Sequence, residues 1–467
     1  MTTDTNDKKR QKVTESTSKN ETNLNKPELF KCNFIKPKNG KQCGLQVRKG
    51  QKFCFAHIKL ANGEDNKEGN DDGITKTKKN GEVIKRVPCT IDPSHTVWED
   101  KLKLHVKVCN VLKKKLEIEE REKTVDWFKI DYNVIDTINS PSEIKEIDND
   151  KWNKNIQKWG EKHDEIFSNE MELVLNEIEF VDGLEERFAE VSNQKHIKQQ
   201  SSLIGQLINH ELLSKKESIK NPNIIIEFGC GRAEFARYLN RAMGTYLDDF
   251  KKIKYLLVDR DNPRLKFDNK IVKDIELCEN TTERLKVDIK DLKLIESLKE
   301  LNKDVDSSKF IGISKHLCGV ATDLTLRCIE NAIHDKCESD DIEFGGCLVA
   351  MCCRHCCKYE WLLKESKEFL NEKFGINETN FIYFKKMFAW ATNGVMPGMD
   401  VNDGKDTHFS GLSFKEREVI GLKMRRILDE SRKYAMEKKG FEVSLVRYVN
   451  REVSLENNCI IIRNKSV

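Results

Sequence analysis

Four stretches of this 467-residue chain gather side chains able to do chemistry. Cys32, Cys43, Cys54 and His57 stand in the spacing C-x10-C-x10-C-x2-H, and Cys89, His95, His105 and Cys109 in C-x5-H-x9-H-x3-C. Thiolates and imidazoles in sets of four are the ligands of tetrahedral zinc. WEDKLKLHVKVC reads as a helix, and its four-residue step puts His105 and Cys109 on one face. Each set sits in a segment of about 30 residues, too short to bury a core of its own. Metal binding, worth roughly 10–16 kcal/mol in zinc-finger peptides, supplies the missing folding energy. A closed set of four leaves no open position, so both zinc ions are expected to be structural. The other two stretches are SKHLCG (314–319), with Lys315, His316 and Cys318, and CCRHCC (352–357), with Cys352, Cys353, His355, Cys356 and Cys357. They offer candidate bases, thiols and a cation.

A glycine loop lies upstream of both. In IIIEFGCGRAEF (224–235), three β-branched residues run into an acid and paired glycines. A dinucleotide fingerprint would read G-x-G-x-x-G. Here the third position is Glu234, whose carboxylate would repel a pyrophosphate. Acid-x-Gly-x-Gly, carried by Glu227, Gly229 and Gly231, is instead the first motif of S-adenosylmethionine (SAM) methyltransferases. There small residues let the backbone approach the cofactor's amino-acid part. KYLLVDRD predicts a second strand ending in Asp259, an acid placed to accept both ribose hydroxyls. ERLKVDIKDL predicts a third, with Asp288 placed to accept from the adenine amino group. The alternative for both acids is a cap on the helix that follows. Gln199 and Gln200, just before the first strand, either line the cofactor or RNA site or pack a helix.

These loops need a sheet to hold them. From about residue 195, apolar strands alternate with helical patterns, as in a parallel α/β sheet. Ligands bind beyond the carboxyl ends of such strands. KFIGISKHLCGVATDLTLRC (309–328) and GGCLVAMCCRHCC (345–357), each strand then loop, therefore turn their loops toward the methyl donor. VSLVRYVN…SLENNCIIIRN predicts antiparallel last strands. FKEREVIGLKMRRILDESRKYAMEKKGF predicts a helix whose Lys423, Arg425, Arg426 and Arg432 form either an RNA-facing or a solvated face.

The fold class expected is α/β, a Rossmann-like SAM methyltransferase domain preceded by two small zinc-finger modules. The expected boundaries are a disordered tail over 1–28, a CCCH finger over 29–60, a linker over 61–82 and a CHHC finger over 83–112. A helical linker region over 113–190 and the methyltransferase domain over 191–467 complete the chain. Charged residues make up 34% and hydrophobic residues 38%, so part of the length is polar tail or linker. The net charge of +4 hides an asymmetry. Residues 1–116 hold 26 Lys or Arg against 14 Asp or Glu, a balance of +12, which leaves −8 for the rest. Residues 31–60 carry eight basic residues and no acidic one, which suits contact with RNA or another polyanion. No apolar run reaches the ~18 residues of a membrane span. The start, MTTDTNDKKRQKVTESTSKN, lacks the apolar core of a secretory signal. An intracellular protein of cytoplasm or nucleus is expected, KKRQK being a weak nuclear-type cluster. Disulfides are rare there, so 16 cysteines point to metal or redox chemistry.

SKHLCGVATDLTLRC, CCRHCC, the upstream KHIKQQSSLIGQL and the C-terminal YV…SLEN together resemble one eukaryotic family. It is the tRNA 2′-O-ribose methyltransferases acting on nucleotide four of the acceptor stem. Its members carry a CCCH finger followed by a CHHC finger, in this order, and the resemblance covers residues 30–467. It implies SAM as cofactor and tRNA as substrate. One departure stands out: the family writes CCHH-x-C, and this chain has Arg354 for the first His. Arginine neither acts as a general base nor binds metal.

Transfer from a sulfonium to a ribose hydroxyl is an in-line displacement. Orientation is worth roughly 7–11 kcal/mol, and a general base about 10²–10⁴-fold. His316, His355 and, if burial lowers its pKa, Lys315 are the candidate bases. Asp323, one turn into the next helix, is placed to orient one of them. Lys315 could instead stay charged and hold a phosphate or the developing alkoxide. The loop cysteines admit three readings: small apolar packing residues beside the donor, a third zinc site of Cys318, Cys352 and Cys353 with a histidine, or an attacking thiolate. The last would make the protein an RNA cytosine-C5 methyltransferase, whose nucleophile stands in a Thr-Cys or Pro-Cys pair that neither loop contains. A non-catalytic RNA-binding or splicing adaptor with a retained fold is the remaining alternative, because CHHC fingers also occur in splicing factors. Intact Glu227, Gly229, Gly231 and Asp259 argue against it.

Overall fold

The structure, a computed structural model, describes residues 30–34, 42–47, 51–53, 75–78, 80–134, 148–214, 223–245, 253–274, 282–303, 308–336, 341–392 and 408–465. They divide into two units, residues 1–117 and 118–467.

In the first unit, Phe30–Lys31 pairs antiparallel with Gln46–Val47. Cys32 and Cys43 are buried there with Val47, and Phe34 and Phe53 pack against them. Cys54, His57 and the tail 1–28 lie outside the described residues. Further on, Thr75–Thr77, Val83–Pro88 and Thr96–Trp98 form a three-stranded antiparallel sheet that leads into the helix Leu102–Val108. The second finger module thus begins before residue 83, inside the stretch 61–82 that the sequence reading makes a linker. Thr75–Thr77 serves it as an edge strand, paired with Val83–Lys85.

The second unit is built on a seven-stranded sheet. In chain order its strands are β1 (Ile224–Phe228), β2 (Lys254–Asp259), β3 (Thr282–Lys286), β4 (Ser308–Cys318), β5 (Ile342–Cys352), β6 (Phe441–Arg447) and β7 (Asn458–Asn464). Their spatial order is β3-β2-β1-β4-β5-β7-β6. The first five are parallel, and β7 runs antiparallel to both β5 and β6, as the sequence predicts. β1 is buried at every position, as a parallel strand covered on both faces must be. Ile224, Ile226 and Phe228 enter one core cluster and Ile225 the other. On the Ile225 side lie α1 (Lys195–Asn209) and α2 (Glu234–Met243), while α3 (Val320–His334) covers the opposite side. After β3 the chain returns to place β4 on the other flank of β1. The carboxyl ends of β1 and β4 therefore flank a topological switch point, where open α/β sheets bind ligands.

Of the stretch 113–190, a helical linker by sequence, the described residues 118–134 and 148–190 belong to this second unit instead. Trp152, Ile156 and Trp159 on the helix Asn149–Phe167 are buried with Leu370, Phe374, Phe384, Met424 and Leu428. Their spacing of three and four residues makes a stripe that faces a core. Trp159 Nε1 donates to Phe374 O at 3.1 Å. Among the described residues no helix is long and apolar enough to cross a membrane.

Candidate active site

β1 delivers Glu227 to the α2 side of the sheet, where its Oε2 accepts from the Ala236 N–H at 3.1 Å. Burial pushes this carboxyl up to about 8, outweighing the Ala236 hydrogen bond and the nearby Arg284 and Lys315. Glu227 is thus mainly protonated at neutral pH. A folded-state pKa raised above 4.5 means that the associated stability is complete below that value and is lost as pH rises through about 8. Glu227→Gln imitates the protonated acid. Thermal denaturation across a pH series is expected to show the variant without the wild-type decline in that window, and a variant that declines as steeply would exclude a protonated Glu227.

Gly229 and Gly231 follow at φ +61° and +49°, the left-handed region glycine adopts freely. A Cβ on Gly229 would stand 2.9 Å from Leu317 Cδ1, so this glycine lets the β1 and β4 loops touch. A Cβ on Gly231 would meet nothing within 4 Å, which leaves an open cradle over the backbone. The Gly231 N–H donates to Asp259 Oδ2 at 2.7 Å, and Asp259 Oδ1 accepts from Asp261 N–H at 2.8 Å. Each carboxylate oxygen has a second lone pair, so Asp259 keeps capacity for a diol. Asp288 caps the turn Ile289–Asp291, its Oδ1 accepting from Lys290 N–H at 3.1 Å. Arg284, which the sequence reading did not single out, clamps the loop. Its Nη1 donates to Gly231 O at 2.9 Å, while Nε and Nη2 each bind an oxygen of Asp268 at 2.7 Å. In sequence it is a charge within an edge strand, which reads equally well as a solvated position.

β4 carries Lys315 and His316. Ser314 Oγ donates to Phe228 O at 2.8 Å, tying this strand to the end of β1. Lys315 Nζ lies 3.2 Å from His196 Nδ1 on α1. The His196 and His316 rings meet edge to face, their centroids 6.3 Å apart. Burial holds the Lys315 amine below the usual lysine range, against the pull of Glu234, Glu227 and Cys352. His316 is pushed down to about 4, first by burial and then by Lys315 and His196. Lys315 and then burial lower His196. Both imidazoles are therefore neutral near pH 7. Gln199 and Gln200 sit one turn beyond His196 on α1, both buried. Among the described residues, Gln199 Oε1 and both amide atoms of Gln200 lack a hydrogen-bond partner. Buried amides are rarely left so, and together with the Gly231 cradle they fit a polar ligand such as SAM. His355 is exposed on the turn Arg354–Cys356.

In the second finger, the ligand atoms of Cys89, His95, His105 and Cys109 all lie within 4.8 Å of one another. Cys89 Sγ and Cys109 Sγ are 3.9 Å apart, Cys109 Sγ and His95 Nε2 3.7 Å, and the two histidine Nε2 atoms 3.0 Å. Bonds of about 2.0–2.3 Å to a tetrahedral zinc require ligand separations of roughly 3.3–3.8 Å, so this set fits the ion. Asp92 Oδ2 stands 3.6 Å from His95 Nδ1, behind the ring. Chelation is expected to raise amide hydrogen exchange sharply over residues 83–109 and to leave β1–β5 protected. Unchanged exchange in the finger would rule out a structural metal.

The family model described as "Methyltransferase TRM13" matches residues 198–463, and that of the "U11-48K-like CHHC zinc finger" matches residues 86–110. The "tRNA:m(4)X modification enzyme TRM13" of Debaryomyces hansenii is 36% identical, over 98% of this chain and 95% of its own. That of Saccharomyces cerevisiae is 34% identical, over 94% of this chain and 97% of its own. This chain belongs to the TRM13 methyltransferase family. An O-methyltransferase family protein from Burkholderia thailandensis and human N-acetylserotonin methyltransferase also align, at 10% and 12% identity and TM-scores of 0.24 and 0.21. Those scores leave the fold argument to the strand order.

In this TRM13-family chain Arg354, set apart by the sequence reading, has charged partners. Arg354 is buried, its Nε and Nη2 donating to Asp429 Oδ1 and Oδ2 at 2.8 and 2.6 Å and its Nη1 to Glu456 Oε2 at 2.7 Å. Arg425 pairs with the same Glu456. Asp429 and Arg425 lie on α4 (Phe414–Lys438). Asp323, expected to orient a catalytic base, instead gives both oxygens to Arg432 at 2.8 Å, buried in the same network. The RNA-facing reading of α4 fails for a related reason. Arg425 and Arg432 are buried, Lys423 binds Asp164 at 2.6 Å and Arg426 binds Glu430 at 2.7 Å.

Proposed function

We propose that this chain transfers a methyl group from SAM to the ribose 2′-hydroxyl of nucleotide 4 in the tRNA acceptor stem. The observation that carries the reading is the meeting, at the switch point, of the glycine loop with the Lys315–His196 pair. The Gly229–Leu317 approach and the Ser314–Phe228 hydrogen bond join their two strands. SAM, when bound, supplies a methyl group already activated by its sulfonium. Gly229 and Gly231 admit the amino-acid part, with the neutral acid of Glu227 behind the loop. Asp259 accepts from the ribose hydroxyls, and Asp288 uses its second oxygen for the adenine amino group. Lys315, in its neutral form, takes the proton from the 2′-hydroxyl, and His196 orients the amine. His316 and His355 line the approach of the RNA. The fingers, the first of them free of acidic residues over 31–60, engage duplex RNA by shape and backbone. The setting is the cytoplasm or nucleus.

The test is transfer from labelled SAM to bulk tRNA, followed by digestion and nucleoside analysis. A 2′-O-methylated nucleoside mapping to position 4 is the expected product. A methylated base would point to the thiolate chemistry of a C5 enzyme, and absence of both SAM binding and transfer to an adaptor. Either outcome overturns the proposal.

A further inference from the structure

We propose that Cys318, Cys352 and Cys353 hold a third thiophilic divalent ion of the zinc class, at the carboxyl edge of β4 and β5. It shares no ligand with either finger and does not depend on the methyl-transfer reading.

The three sulfurs lie within 4.8 Å of one another, with Cys318 Sγ and Cys352 Sγ 3.0 Å apart. Zinc–sulfur bonds of about 2.3 Å in a tetrahedron separate sulfurs by roughly 3.8 Å. In the CHHC finger of this same chain the two sulfurs stand 3.9 Å apart, and its four ligand atoms lie within the same 4.8 Å of one another. A disulfide would need about 2.05 Å and would leave the third thiol without a role.

The backbone is shaped to bring the thiols together. Ala350 pairs with Lys315 but Met351 pairs with Leu317, so the ladder skips His316. That bulge sets Cys352 opposite Cys318; an unbroken register would set it opposite Leu317. His316 at φ +65° and Cys353 at φ +46° both sit in the left-handed region. Such a backbone is strained for a residue with a side chain and persists only where the surroundings impose it. The imposing contacts are visible. Gly319 N–H donates to Cys352 O at 3.2 Å, and Cys353 N–H donates to Glu456 Oε1 at 3.1 Å. Glu456 is in turn gripped by the buried Arg354 and Arg425. Two strained residues and a buried ion-pair network thus hold three thiols in a cluster that apolar packing would not require.

No histidine, carboxylate or further thiol joins the cluster among the described residues. Three protein ligands leave one position, on the exposed Cys318 side, for an oxygen from outside the protein. The ion would pin the SKHLCG loop to the CCRHCC loop, and with it the strand end that carries Lys315.

The test uses the full-length protein, purified under reductant without chelator. Elemental analysis is expected to find one zinc more per chain in the wild type than in Cys318→Ser, whose exposed side chain should let it keep the wild-type circular dichroism spectrum. Cys109→Ser, in the finger, should lose a different zinc, and the two losses should add. Cobalt loading gives a second readout: the thiolate-to-cobalt charge-transfer band should fall in Cys318→Ser. Equal zinc and equal cobalt bands in wild type and Cys318→Ser would overturn the proposal. So would a Cys318–Cys352 pair that resists alkylation in denaturant until reduced, because that is a disulfide.

Discussion

Lys315→Met is expected to slow methyl transfer by about 10²–10⁴-fold, the range a positioned general base supplies, while SAM affinity stays near that of the wild type. The amine stands at the end of β4, 3.2 Å from His196 Nδ1, on the strand that touches the glycine loop. The groups around it are His196, His316, Cys352, Glu227 and Glu234, and burial outweighs the pull of Glu234, Glu227 and Cys352 to hold its pKa low. The neutral amine is therefore reached at lower pH than for an ordinary lysine. The rate should rise with pH until that deprotonation is complete, and the residual rate of Lys315→Met should lose that limb. Lys315→Arg separates the two roles left open by the sequence. A guanidinium stays protonated and cannot accept the ribose proton, so the arginine variant is expected to be as slow as the methionine one. Single-turnover transfer across a pH series, with both variants, reads all three effects. An arginine variant as fast as wild type would reduce Lys315 to a cation that holds phosphate or alkoxide.

Local patterns carried the parts of this site that are themselves local. Ile224–Phe228 is a continuous apolar run because both faces of a parallel strand are covered. The glycines after it are spaced by the loop they must form, and the CHHC ligands by the tetrahedron they must close. What escaped the sequence depends on pairs far apart in the chain. His196 becomes part of the site only because α1 packs beside β4, 119 residues away. Asp323 looks like an orienter when only its neighbours in sequence are known, yet its partner Arg432 lies 109 residues on. The stripe Trp152–Ile156–Trp159 reads as part of a helical linker until Phe374 and Leu428 are brought against it. Arg354 shows the same limit most sharply. Its partners Asp429 and Glu456 lie 75 and 102 residues downstream.

That buried network gives the largest expected change in stability. Arg354, Arg425 and Arg432 face Asp323, Asp429 and Glu456, three charges of each sign, most of them almost fully buried. Asp429 holds both ends of the Arg354 fork, stands 3.7 Å from Arg432, and accepts from Asn458 Nδ2 at 3.3 Å. Asp429→Ala leaves a guanidinium uncompensated in the interior and is expected to cost about 3–5 kcal/mol in chemical denaturation. The cost reflects the charge left behind more than the net worth of the pair. Arg354→Met combined with Asp429→Leu removes both partners, and Glu456 keeps Arg425. The double variant should therefore recover most of the loss, whereas two independent sites would simply add their costs. If the double variant is as unstable as the sum of its parts, the network contributes through packing rather than charge. Recovered stability should not bring full activity with it. Arg354 also holds Glu456, the acceptor of the Cys353 N–H, so a repacked apolar pair restores the core while loosening the loop beside Lys315 and His316.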